Sequence, residues 1–332
     1  MKWPAVVALC CATGGCADEV IGYQSGDTES TQASTSSEAS SSGGASSGAV
    51  LPADSSTGAD VQVLPDYVAG GFDTMIAVSF DEGRNWQEFP NPSSPVEITY
   101  EGIAHNDERI VIVGGGSTVV TTDGLTWEAF GDQLGYARAV AYGAGTFVSV
   151  GFERRARSVD GMGWIDARNG DSGFDYYAIT YGDGRFVAVG VDIMGTSTDG
   201  IDWVTTPLEG PKLNALAFGN GRFVAVGEQA RIAVTTDGVS FINDSFTEGE
   251  FDSICFFDGQ FVTLSQSVVR FSEFGEEWTE VAIEPASTFA CAPDHVAVAD
   301  QQRMRAGTDL LSTELRATLS TPVNTVAYTG RP

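Results

Sequence analysis

The chain has 332 residues and carries 45 acidic against 17 basic side chains, a formal net charge of −28. Such a surface repels a phosphate backbone and anionic lipid, so nucleic-acid binding and electrostatic docking on a membrane are not expected. The length allows one large domain or two ordinary ones.

The first stretch, MKWPAVVALCCATGGC, has Lys2, a short apolar run and then small residues. The apolar run is too short to span a bilayer as a helix and reads as an export signal. Thr13-Gly14-Gly15-Cys16 resembles the lipobox of bacterial lipoproteins, although Thr13 stands where that motif usually has Leu or Val. The resemblance implies lipidation at Cys16 and an extracytoplasmic, membrane- or surface-anchored protein, with plain secretion as the alternative. Residues 17–64 are rich in Ser, Gly and acidic residues. The part at 25–60 has no aromatic and no basic side chain, so it cannot bury a core and is expected to act as a disordered tether.

From residue 65 onward the chain repeats. Short elements ending in an aromatic recur at Trp86, Trp127, Trp164, Trp203, Phe241 and Trp278, at intervals of 41, 37, 39, 38 and 37 residues. Before each from Trp127 onward lie two apolar runs, such as ALAFG and FVAVG in the part ending at Phe241. A Gly-Asn-Gly hairpin signal follows the first run, and Asp-Gly turns precede the aromatic. Each unit therefore reads as four short strands, and no useful 3.6-residue period appears. Four strands at a period near 40 predict β-propeller blades. Tyr67–Gly71 matches a second strand without a first, and 323–328 matches a first strand without a second. The expectation is an all-β, seven-bladed propeller with four-stranded blades over 65–332, closed by pairing these two termini.

The element S-x-D-x-G-x-x-W is complete at Ser79–Trp86, and shortened versions carry Asp123, Asp160, Asp199 and Asp237. It resembles the Asp-box of BNR-repeat propellers, a group that includes sialidases, sortilin-type receptors and photosystem assembly lipoproteins. The resemblance implies a structural role for Asp81, Asp123, Asp160, Asp199 and Asp237, as turn residues that satisfy local amides. The aromatics are expected to pack between blades.

Two groups of residues are candidate ligand contacts. Glu101, Arg138, Tyr177, Asn214, Asp252 and Asn324 share one position of the repeat, where identity varies, and are expected to ring the channel mouth. Arg154, Arg155 and Arg231 fall in or beside second-to-third-strand loops; arginine suits a planar carboxylate, and the plainer reading is that they pair with the protein's own abundant carboxylates. Cys255 and Cys291 read either as a disulfide or as two buried thiols. His105 and His295 are too few for a His-rich metal site, and no phosphate-loop or cofactor signature is present. The expected function is non-enzymatic binding of a protein or glycan through the open face, by a monomer. The alternative is a sialidase-like or other glycoside-processing enzyme, against which stands the lack of an Arg-Ile-Pro motif and of an assignable Tyr/Glu pair.

Overall fold

The computed structural model describes residues 8–9, 64–90, 92, 98–131, 135–169, 172–245, 250–265 and 267–330. Apart from the 3₁₀ turn Phe72–Thr74, every regular element among them is a strand. The expected signal at 1–16 and tether at 17–64 lie outside the described residues, save Ala8–Leu9 and Leu64, and so does Cys16.

The strands form antiparallel meanders in which the chain zigzags outward and then returns to start the next. The unit ending at Ser245 is typical: Leu213–Gly219, Arg222–Gly227, Ile232–Thr235 and Phe241–Ser245 pair in chain order. Its first two strands are the two apolar runs of the repeat. Burial on both faces explains why those runs alternate so little. First strands of successive meanders lie against one another, from Val323–Tyr328 through Gly102–His105 and onward to Thr288–Cys291 and back. The C-terminal strand Val323–Tyr328 pairs with Tyr67–Gly71, so sequence-distant segments complete one sheet.

The expectation of seven separate four-stranded blades needs correction. Hydrogen bonding divides the strands into six sheets, of which four have four strands, one has five and one has eight. The fifth strand of one sheet is Ala8–Leu9, which runs parallel to Gly102–Ile103. The eight-stranded sheet holds two consecutive meanders, 136–166 and 175–207, joined by the register pair Phe152↔Asp175. Their first and second strands are eight and seven residues long in both cases, against four to seven elsewhere. The extra residues, at about 3.3 Å each, carry the two meanders far enough to meet.

The core lies between meanders. Apolar faces of adjacent meanders interlock, as where Val148, Val150, Phe186 and Ala188 share a cluster with Tyr176 and half-buried Trp203. The Asp-Gly turns add a second lock. Thr121 and Asp123 show the pattern: Gly124 N donates to Thr121 Oγ1 at 2.9 Å, while Leu125 N and Thr126 N donate to Asp123 Oδ1 at 2.8 and 2.7 Å. The same bonds recur at Asp160, Asp199 and Asp237. Backbone amides of Ile201 and Asp202 hold the Asp199 carboxyl below the usual range, as those of Ser240 and Val239 do for Asp237. Trp164 Nε1 and Trp203 Nε1 donate to the carbonyl of their own turn glycine at 3.1 and 3.3 Å. Neighbouring hairpins reach these turns too: Arg109 Nη1 and Arg185 Nη1 donate to the carbonyls of Asp160 and Asp237. The turn acids are thus occupied in holding backbone. In the meander ending at Ala282, Glu273 replaces the Asp, yet Gly275 N still bonds Ser272 Oγ at 2.8 Å.

Cys255 and Cys291 form a disulfide, which links the first strands of two adjacent meanders.

Candidate binding site at the bulged strand starts

The shared repeat position of the candidate residues has a backbone cause. In four first strands the ladder skips one residue. Val150 pairs with Ala139 but Gly151 pairs with Ala137, which leaves Arg138 as the extra residue. The same shift singles out Tyr177 between Tyr176 and Ala178, Asn214 between Leu213 and Ala215, and Asn324 between Val323 and Thr325. Each is a β-bulge, a device that turns one side chain out of the regular alternation.

The sequence encodes this bulge with a glycine at or next to the end of the second strand, Gly151, Gly190, Gly227 and Gly71 in these four meanders. A Cβ on Gly151 would lie 2.1 Å from the Tyr136 carbonyl oxygen, and one on Gly190 would lie 1.9 Å from that of Asp175. No side chain fits where the bulged strand approaches so closely. Where the repeat has Leu264-Ser265 or Ala299-Asp300 instead, the pairing with Ser253 and Thr288 runs without a shift. Glu101 and Asp252 occupy the same repeat position just before their strands, with amides bonded to Val113 O at 2.9 Å and Leu264 O at 3.4 Å.

Around the eight-stranded sheet these positions build one connected group. Arg138 pairs with Asp175 at 3.0 Å, and its guanidinium lies 3.9 Å from the Tyr177 ring centroid. Lys212 Nζ lies 4.2 Å from the same centroid and 3.3 Å from Glu228. A cation over an aromatic face is favourable, more so where water is partly excluded. On the other side, the Tyr136 hydroxyl donates to Glu101 Oε1. Glu101 is only 5% exposed, and its Oε2 has no hydrogen-bond partner. Burial pushes the Glu101 carboxyl up to about 7, against the pull of the Tyr136 hydroxyl and Arg138. Burial likewise raises Asp175, opposed by Arg138 and Lys212. The Tyr136 hydroxyl is raised by burial and by Glu101.

Beside this group is an apolar ledge. Tyr136 pairs with Phe152, Phe152 with Asp175, and Asp175 with Val191, so the strand ends form a continuous row. Tyr136, Phe152 and Val191 are 42, 54 and 39% exposed. Two aromatics and an aliphatic in one row beside paired charges give a surface that can stack, accept and donate.

The remaining candidates are placed differently. Asn214 Nδ2 donates to Phe251 O at 3.1 Å and Asn324 Nδ2 to Tyr100 O at 3.0 Å, so both tie neighbouring meanders together. Arg154, Arg155 and Arg231 are 0 to 1% exposed, which corrects their expectation as open ligand contacts. Their guanidiniums satisfy loop carbonyls and stack on rings. Arg231 donates to Pro211 O at 2.7 Å and Glu209 O at 3.0 Å, and Arg154 to Gly135 O at 3.4 Å. Arg155 donates to Arg168 O at 3.0 Å and stands 4.6 Å from the Phe174 ring centroid. Irregular loops leave carbonyls that need donors, and a buried arginine supplies several at once.

Tyr136, Phe152, Asp175, Val191 and Lys212 were not singled out from sequence. An available signal was the residue after the second-strand glycine: Phe152 and Val191 are apolar there, where the meander ending at Ser245 has Glu228. Among the described residues no three His, Cys, Asp or Glu side chains gather as a metal set. None of their helices is long and apolar enough to cross a membrane.

No family model and no curated protein matches this chain. Solved structures do, β-propellers among them. A structure of "YCF48 bound to D1 peptide" matches at 14% identity and a TM-score of 0.55, covering 72% of this chain and 89% of its own. A streptogramin B lyase matches at 11% identity and 0.59, covering 69% and 86%. The WD40 propeller domain of Doa1 matches at 10% and 0.55, covering 68% and 85%. At such identities the likeness shows the fold: this chain is a β-propeller. One of these structures holds a peptide and another is a lyase, so the fold alone does not choose between binding and catalysis.

Proposed function

We propose that the chain is a non-enzymatic binding propeller that docks a protein partner, as an extended peptide segment, on the face built by the bulged starts of meanders 136–166 and 175–207. The observation that carries this reading is the row Tyr136–Phe152–Asp175–Val191, whose two aromatics and aliphatic are exposed and whose Asp175 pairs with Arg138, next to the Lys212–Glu228 pair. An apolar anchor strip rimmed by charged groups is the composition of a recognition surface. That one structural neighbour is a propeller with a bound peptide supports a peptide over a glycan. The Asp-Gly turns favour kinship with the BNR-repeat propellers, since their acids make the local bonds that such a turn needs. An extracytoplasmic, lipid-anchored setting is part of the proposal. It rests on the signal-like first 16 residues and is supported by the Cys255–Cys291 disulfide, which suits an oxidising compartment.

The test is an array of short synthetic peptides probed with wild type, Phe152→Ser and Val159→Ser. Val159 is 66% exposed on an Asp-Gly turn. The reading expects binders lost in Phe152→Ser and kept in Val159→Ser; equal retention in both would remove its basis.

Glu101 also favours a second reading. A carboxyl near 7 beside a tyrosine hydroxyl is suited to proton transfer. Turnover of glycans by wild type, abolished in Glu101→Gln, would select that reading over binding.

A further inference from the structure

The carboxylates and cations of the open face do not balance. Arg138 is paired with Asp175 and Lys212 with Glu228. Glu101 has a tyrosine hydroxyl on one oxygen, nothing on the other, and no ion pair. A buried carboxylate with a bare oxygen is a costly arrangement for a chain to retain. It lies next to an aromatic, Tyr136, whose ring is part of the exposed ledge and whose hydroxyl reaches Glu101. The Arg138 guanidinium, 5.9 Å from the Tyr136 ring centroid and 3.9 Å from that of Tyr177, shows that a planar cation is accommodated among these aromatics. The chain's strong negative charge would draw a basic segment towards this face.

We propose that Glu101 is a specificity subsite for a basic side chain, an arginine guanidinium by preference, of the docked partner. The inference rests on the peptide-docking reading and narrows it to segments that pair a basic residue with an apolar one. Oε2 is buried in the free chain, so the guanidinium would enter by displacing the half-exposed Tyr136 side chain, taking its place on Oε1 and giving Oε2 its donor. The neighbouring apolar side chain would lie on the ledge at Phe152. Guanidinium fits because its planar fork donates to a carboxylate while its face stacks on a ring. The groups that face Glu101 and set its charge are Tyr136, Arg138 and Asp175.

The probes are acetyl-Phe-Arg-amide and acetyl-Phe-citrulline-amide, titrated into the full chain by calorimetry or NMR. Citrulline keeps the planar shape but has a carbonyl oxygen in place of one guanidinium NH2, so it lacks both the charge and the full donor fork. The expected result at pH 8 is arginine binding about tenfold tighter than citrulline, as for a charge-assisted pair. That ratio should fall towards one in Glu101→Gln and persist in part in Glu101→Asp, and both variants should first be shown folded by circular dichroism. The ratio should also shrink at pH 5.5, where Glu101 takes up its proton. Equal binding of both probes to wild type, or an unchanged ratio in Glu101→Gln, would overturn the subsite. If both probes bind equally and both are lost in Phe152→Ser, the docking face stands and the cation subsite alone fails. Binding of neither probe to wild type would also overturn it.

Discussion

The two ends of each meander repeat in different senses. At the Asp-Gly turns the same side chains make the same bonds in meander after meander, and Asp123, Asp160, Asp199 and Asp237 are interchangeable in their tasks. At the bulged strand starts only the backbone device repeats. The glycine and the skipped residue recur, but the side chain at the bulge is Arg138, Tyr177, Asn214 or Asn324. A turn whose chemistry recurs from meander to meander holds the meanders together. A bulge whose side chain differs each time makes a surface that is unlike itself from one sector to the next, and specificity needs that asymmetry.

The sharpest way to break this contrast is Gly190→Ala. Its Cβ would meet the Asp175 carbonyl oxygen at 1.9 Å, a backbone atom that cannot swing aside. The bulge at Tyr177 must then open, at a cost of about 3 kcal/mol or more. Chemical denaturation should show that loss, and peptide binding should vanish with it.

Glu101→Gln should act the other way. Burial raises this carboxyl from 4.5 to about 7, so the folded chain holds the proton more tightly than the unfolded one. Its favourable contribution is full below about 4.5 and is lost as pH rises through about 7. Gln has no charge to bury. The variant should therefore be more stable than wild type at pH 8, by roughly 1–3 kcal/mol, with the difference gone near pH 4.5. Melting curves at the two pH values give the comparison. A variant less stable than wild type at pH 8 would mean that the ionised Glu101 is well compensated.

At the turns, Asp199→Ala removes an acceptor from the Ile201 and Asp202 amides, bonded at 2.8 and 3.0 Å. Since these amides can turn to water, the loss should be about 1 kcal/mol, with peptide binding unchanged. Phe152→Ser should do the reverse. Its side chain is 54% exposed, so stability should move by no more than about 0.5 kcal/mol while binding falls.

The contrast also explains what could be read from the sequence. The Asp-Gly-aromatic element and the apolar runs are packing signals that recur, so the repeat, the strand order within each unit and the pairing of Tyr67–Gly71 with Val323–Tyr328 were legible. The division into sheets was not. It depends on how far Thr146–Phe152 and Asp175–Gly182 extend, and a single residue pair, Phe152↔Asp175, decides whether two meanders share one sheet. Of the candidate site, the bulge positions stood out because they vary within a constant frame. The burial of Arg154, Arg155 and Arg231 was hidden, because an arginine beside a loop looks the same in sequence whether it meets solvent or a carbonyl. Lys212 and Asp175 were missed because each gains meaning only from a neighbouring meander, Lys212 through Tyr177 and Asp175 through Arg138.

The most direct test places a photo-crosslinking phenylalanine analogue at 152 in one chain and at 159 in another, and irradiates each with its partner peptide from the array. Both positions are well exposed, one on the bulged face and one on an Asp-Gly turn. The account predicts covalent adducts from position 152 and none from position 159. Adducts from 159 without any from 152 would move the recognition surface to the turns and contradict it.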